Sequence, residues 1–195
     1  MVKRISLAVV AALILASASF AQVWEIDPTH SQIGFGVKHL VVSNVSGKFT
    51  DFDGKIIFDG KDLTDGSTEF TVQSKSITTD NEKRDNHLRS SEFLAVDSFP
   101  TLTFKSTKII PEANNSFKMT GDLTIRGVTK LVTFDCTFNG TVEAFGGTRA
   151  SFSAATTINR QDFGVSWSKA LDSGGLVVSN EVKINIELEV VKAKA

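Results

Sequence analysis

No tyrosine occurs anywhere in the 195 residues, although phenylalanine occurs 15 times and tryptophan twice. A buried tyrosine carries a hydroxyl that must find a partner, so an interior built on phenylalanine is dry. Composition leaves two uses of such an interior open: an ordinary core, or a lining for a hydrocarbon. Cys136 is the only cysteine. That excludes an internal disulfide, and the fold rests on its apolar core even in an oxidising compartment. Cys136 falls in phase with Val132, Phe134 and Phe138, the position of a buried inert thiol rather than of a nucleophile. A basic surplus is missing too. Without Lys3 and Arg4, 19 basic residues face 22 acidic ones, a net charge of −3. Nothing in that balance neutralises a phosphate backbone, which argues against nucleic acid as a partner.

Chemistry-bearing patterns are equally scarce. His30, His39 and His87 form no pair at short ligand spacing, and no Cys, His or Glu cluster surrounds them in the sequence, so no metal site is expected. In an unbroken strand His30 and His39 face opposite ways. Ser31 adjoins His30, but neighbouring residues of a strand point to opposite faces. No nucleophile elbow, phosphate loop or paired-carboxylate signature stands out, so neither a catalytic residue nor a cofactor is expected.

One long apolar run is present, at Ile5 to Leu15, behind Lys3 and Arg4. It is shorter than the ~20 residues a membrane-spanning helix needs. Small residues at Ser19 and Ala21 flank Phe20 in the manner a signal peptidase reads. Residues 1–21 are therefore read as a secretory signal peptide cut after Ala21, and residues 22–195 as one domain. The product is expected to be periplasmic or secreted, and not an integral membrane protein. A homodimer stays open.

What the chain does have is alternation. From Val182 to Val190 every even position is apolar and every odd position polar or charged. A strand turns successive side chains to opposite faces, so this segment has one dry face and one wet face. Such strands belong to antiparallel sheets whose dry side must be covered. The same pattern recurs at Ile33, Phe35, Val37 and His39; at Phe70 and Val72; at Leu102 and Phe104; at Leu123 and Ile125; at Val132 to Phe138; and at Ala150 to Ile158. Gly47, Gly54, Pro111 to Asn115, Gly127, Asn139-Gly140 and Gly146-Gly147 read as turns or bulges. Ser166 to Ser179, with Gly174-Gly175, shows no period and reads as a mobile lid. One helix is expected, Asp80 to about Arg89, opened by a capping box of Thr79 and Glu82. It is too polar to roof a sheet but can plug one end, with Leu88 and Phe93 turned inward. About eight strands with so little helix indicate an all-β sandwich or barrel, and a barrel of ~8 strands can hold one small ligand.

Several pieces together carry a resemblance. Trp24-x-x-Asp27-x-x-His30-Ser31-x-Ile33-x-Phe35-x-Val37-x-His39 resembles the opening of YceI-like proteins. Gly47-x-Phe49, Asp85-x-His87-Leu88-Arg89-Ser90-x-x-Phe93 and Phe99-Pro100-x-Leu102-x-Phe104 follow in order. Leu123 to Lys130, Arg160-x-Asp162-Phe163-Gly164 and Glu181-Val182-x-Ile184 complete it. Two positions depart from the pattern: Arg126 where many relatives carry His, and Asn180-Glu181 where Gly-Asp-Glu is common. The resemblance implies an extended, lipocalin-like antiparallel β-barrel that binds a polyisoprenoid or similar long-chain lipid along an internal tunnel, with no reaction.

Candidate lining residues are those in phase on the strands: Phe35, Val37, Phe70, Val72, Phe104, Ile125, Phe134, Phe152, Ile158, Ile184 and Ile186. Arg84, His87 and Leu88 on the helix, His39 on the first apolar phase, and Trp167 beside the loop complete the candidate site. Arg84 and His87 lie three apart and can share a helix face to hold a polar head group. The rival expectation is a structural or stress-response barrel filled by its own side chains.

Overall fold

The computed structural model describes residues 21–60, 63–172 and 174–194. The expected signal peptide lies outside the described residues, except for Ala21. Among the described residues no helix is long and apolar enough to cross a membrane.

Eleven strand segments form one antiparallel sheet. They are β1 (Gln22–Ile26), β2 (Gln32–His39), β3 (Ser43–Phe49), β4 (Phe52–Phe58), β5 (Ser67–Gln73), β6 (Ile77–Thr78), β7 (Thr101–Pro111), β8 (Ser116–Ile125), β9 (Val128–Ala144), β10 (Gly147–Asn159) and β11 (Val178–Lys192). Eight of them close a ring in the order β1-β4-β5-β7-β8-β9-β10-β11, with β1 returning to pair with β11. This is the expected all-β antiparallel barrel of eight strands, and closure removes the unpaired sheet edges that a sandwich leaves.

The remaining segments lengthen three of those strands. Residues Val190 to Lys192 of β11 pair with β1, and Val178 to Glu187 pair with β2. The β3 segment lies on β2 while β4 lies on β1, and β6 lies on β3 while β5 lies on β4. Each of β1/β2, β3/β4 and β5/β6 is thus one long strand broken by a bend, which is why Val45 to Phe58 shows a poor alternation. Among the described residues no strand pairs with the far side of β6. There the helix α1 (Glu82–Arg89) packs in place of a strand.

The helix starts two residues later than expected. Asn81, not Thr79, caps it: the Asn81 side-chain oxygen accepts from the Arg84 N–H at 3.0 Å. Thr79 is engaged otherwise, since its N–H and hydroxyl both donate to Asp85. Burial opposes ionisation of Asp85, but these bonds and the Thr78 hydroxyl outweigh it and hold its carboxyl below the ordinary range. Arg89 donates to the Lys75 and Ile77 carbonyls at 2.8 and 2.7 Å. The polar face of α1 is therefore spent on fastening the helix to residues 75–79.

Two expected turn or bulge points are neither. Gly47 lies inside β3 opposite Phe35, and Gly54 inside β4 opposite Phe70. A Cβ on Gly47 would meet Phe35 Cε1 and Thr79 Cγ2 at 2.7 Å, and one on Gly54 would meet Phe70 Cδ1 at 2.8 Å. These glycines make room for rings that lie across them. Asn139-Gly140 is a bulge rather than a turn: β9 runs through it, Gly140 pairs with Ser151 and Phe138 with Phe152, so Asn139 is the extra residue, and its side chain donates to the Ser153 hydroxyl at 2.9 Å. The turn falls at Phe145-Gly146, whose φ values are 53° and 76°.

The loop expected over Ser166 to Ser179 ends earlier and carries backbone pairings of its own. Val178 and Ser179 already belong to β11. Ala170 bridges Leu176, and Val177 donates to the Lys169 carbonyl at 2.9 Å while its own carbonyl accepts from Leu40 at 2.9 Å.

Candidate ligand-binding site

The inward faces of the strands do not meet in the upper half of the barrel. They enclose a cavity of about 370 Å³, within the range usual for small-molecule sites. The hollow is readable in the burial along β11. Leu188 and Val190 are 6% and 0% exposed, whereas Val182, Ile184 and Ile186, on the same face, stay only half-buried. A residue that points inward yet is not covered faces empty space.

Of the residues singled out from the sequence, Phe35, Val37, His39, Phe70, Val72, Arg84, His87, Leu88, Phe104, Ile125, Phe134, Ile158, Trp167, Ile184 and Ile186 all line this one cavity. Phe152 does not. It lies in the closed lower half, edge-on to Phe58 at 5.5 Å and tilted against Phe138 at 5.2 Å. Trp24 stacks on Phe58 at 4.8 Å and donates its indole N–H to the Phe58 carbonyl. These rings make a solid floor. Strand parity gives the face of Phe152 but not its depth along the barrel axis.

The upper rim carries the polar groups. Arg84 is exposed and donates to the Thr79 hydroxyl at 2.7 Å and the Thr79 carbonyl at 3.0 Å. His87 bonds Glu92 through Nε2 at 2.6 Å, and its ring stands edge-on to Phe93 and Trp167 at 4.8 and 5.6 Å. Phe93 and Leu88 turn inward as expected, so α1 contributes an aliphatic wall as well as its cations, and the turn after it an aromatic one. Arg126, one of the departures from the family pattern, lies outside the cavity and donates to the Phe93 carbonyl. His87, Phe93 and Trp167 come from segments up to eighty residues apart, and only folding brings them together.

Other lining residues had weaker signals. Phe49 and Val45 share a face of β3, a parity hidden by the bend after Phe49. Phe163, Val165 and Arg160 follow β10 in and beyond a short 3-10 turn, Arg160–Phe163, where strand parity no longer applies. Among the described residues that line the cavity there is no Ser, Cys, Asp or Glu.

A second polar cluster forms away from the cavity. Asp27, His30 and Glu189 place one ligand atom each within 4.8 Å of one another. No such cluster is visible in the sequence, because Glu189 reaches the other two only through the antiparallel pairing of β11 with the first strand. Arg149 lies across both carboxylates. Hydrogen bonds from the Thr29 hydroxyl, Arg149 and His30 hold the Asp27 carboxyl far below the ordinary range. Cys136 is buried on the inner face of β9, and loss of water pushes its thiol up to about 12.

A closed antiparallel barrel with a solid floor, a hollow apolar upper half and a polar rim defines the class as a ligand-binding barrel. The chain belongs to the YceI-like domain family, whose model matches residues 24–190. A UPF0312 protein of Staphylococcus aureus is 39% identical over 165 residues, covering 84% of this chain and 94% of its own. The YCEI protein of Campylobacter jejuni is 32% identical with a TM-score of 0.70, over 80% of this chain and 90% of that one. A polyisoprenoid binding domain from Saccharophagus degradans, implicated in plant cell wall breakdown, shares the fold at 14% identity and a TM-score of 0.67, over 88% of this chain and 99% of its own.

Proposed function

We propose that this protein is exported and holds one long-chain isoprenoid or similar lipid in the barrel, for transport, storage or sequestration. The cavity supports this reading most directly. Its wall is aliphatic and aromatic apart from the rim, and a self-filled barrel has no reason to keep about 370 Å³ empty. The fold of the S. degradans domain points the same way. The mechanism is partition without chemical conversion. Burying ~10 methylenes at ~0.8 kcal/mol each yields about 8 kcal/mol, roughly micromolar affinity before entropic costs. The tail occupies the hollow above the aromatic floor, and the polar end sits among Arg84, His87 and His39.

Extraction of the purified protein with organic solvent, followed by mass spectrometry, tests the reading. A long-chain compound near one per protein is expected. A clean extract, together with failure to take up any added long-chain compound, would overturn it. Export predicts that the mature protein begins at Gln22, which the intact mass reads directly.

A further inference from the structure

The ionisable side chains that line the cavity are all of one kind. They are His39, Arg84, His87 and Arg160, with no acid among the described lining residues. Arg160 is the unusual one, because it is 5% exposed. Its Nε donates to the Ser179 carbonyl at 2.9 Å, Nη1 to the Val165 carbonyl at 2.6 Å, and Nη2 to the Asn180 side-chain oxygen at 3.1 Å. All three acceptors are neutral. Arg149 shows the contrast, since it sits between Asp27 and Glu189. A guanidinium has five N–H donors in a planar fork, so two remain beyond those three bonds. Buried charges are normally paired, because desolvation is otherwise uncompensated. Burial depresses the proton affinity of Arg160, and no carboxylate among the described residues opposes it. The Arg84 guanidinium, on the rim, likewise donates to a neutral partner, Thr79.

We propose that the counter-ion of Arg160 is the ligand. The cavity selects a single long apolar chain that ends in an anionic oxygen group, a carboxylate or a phosphate monoester, over a neutral chain of the same length. This deepens the lipid-holding reading and rests on it. The 3-10 turn holds Arg160 at the upper end of β10, so the charged end lies near the rim and the chain runs down to the aromatic floor. Fork-shaped donors match both oxyanions, whereas an alcohol, amide or quinone leaves the charge unmatched.

Delipidated full-length mature protein is titrated with hexadecanoic acid, hexadecyl phosphate and hexadecanol, and binding is read by tryptophan fluorescence and calorimetry. At least one of the two anions should bind about tenfold to a hundredfold more tightly than the alcohol, and comparing the two identifies carboxylate or phosphate as the head. In R160Q the ratio of anion to alcohol affinity should fall at least tenfold. Arg160 also ties residues 160–165 to β11, so R160K and R84Q are measured beside it, with circular dichroism to verify folding. R160K should keep the anion preference in part, and R84Q should reduce it. Equal affinities for anion and alcohol in the wild-type protein would overturn the charge assignment and leave lipid holding intact. Binding of none of the three would overturn both. An anion preference unchanged in folded R160Q would also overturn the assignment, whatever R84Q does.

Discussion

Met119, Phe70, Ala154 and Leu188 touch both the main cavity and a smaller void of about 40 Å³ beneath it. They are a thin partition, and the aromatic floor lies under the void. If the tail of a ligand fills the hollow, affinity in a homologous series should rise with each added methylene until the chain reaches that partition. At ~0.8 kcal/mol per buried methylene the rise is about fourfold per carbon. Beyond the partition the slope should collapse, since further carbons must stay at the rim in water. Met119→Ala moves the break. It deletes three heavy atoms from the partition and joins the two spaces, so the plateau should shift by about three methylenes, at a stability cost near 2 kcal/mol, the low end for a half-buried site. Competition against a fluorescent long-chain probe, over chains of eight to about twenty carbons, reads the slope and the break together. A series without a break, or a break that Met119→Ala leaves in place, would refute the dead-end geometry.

Gly47→Ala drives the Phe35 ring into the hollow, so it should lower the unfolding free energy by about 1–3 kcal/mol and shorten the longest chain that binds, read by thermal melts and the same competition series. The Cys136 thiol, pushed up to about 12 by burial, should resist iodoacetamide in the native protein at pH 8 and react on unfolding in guanidinium. Asp27→Asn should destabilise by about 1–3 kcal/mol at neutral pH. Because the folded carboxyl is depressed, its contribution is complete above the ordinary aspartate value of about 4 and fades as pH falls below it toward the folded value. Denaturant melts of both proteins should therefore converge in acid, and a constant gap down to pH 2 would contradict the assignment.

The strands with one dry face were legible in the sequence because parity along β9, β10 and β11 is unbroken for many residues. The bent strands were not, since Gly47 and Gly54 carry the same letters whether they turn the chain or make room for a ring. At Asn139-Gly140 the local preference for a turn lost to pairing with β10, which continues past the end of β8 and leaves Asn139 as a bulge. The Thr79 capping signal lost to Asp85, which took the hydroxyl first. For the site, parity placed the wall correctly but could not separate Phe152 in the floor from Phe134 in the hollow. Arg160 was visible as part of a family pattern. That its acceptors are two carbonyls and an amide, with no acid, depends on how β11 lies beside the 3-10 turn, and no local spacing reports it.

The ring is sealed by β11, the last of its strands in chain order, which zips to β10 on one side and to both β1 and β2 on the other. The seam with β1 spans only Trp24 to Ile26, and it joins residues more than 160 positions apart. Such a contact can form only once nearly the whole polypeptide is in the same compartment. A keystone made last means that the greasy faces wait together, uncovered, until its arrival. Assembly should thus be slow and all-or-none, and an oily guest present at that moment would be captured by the closing wall rather than threaded into a finished tube.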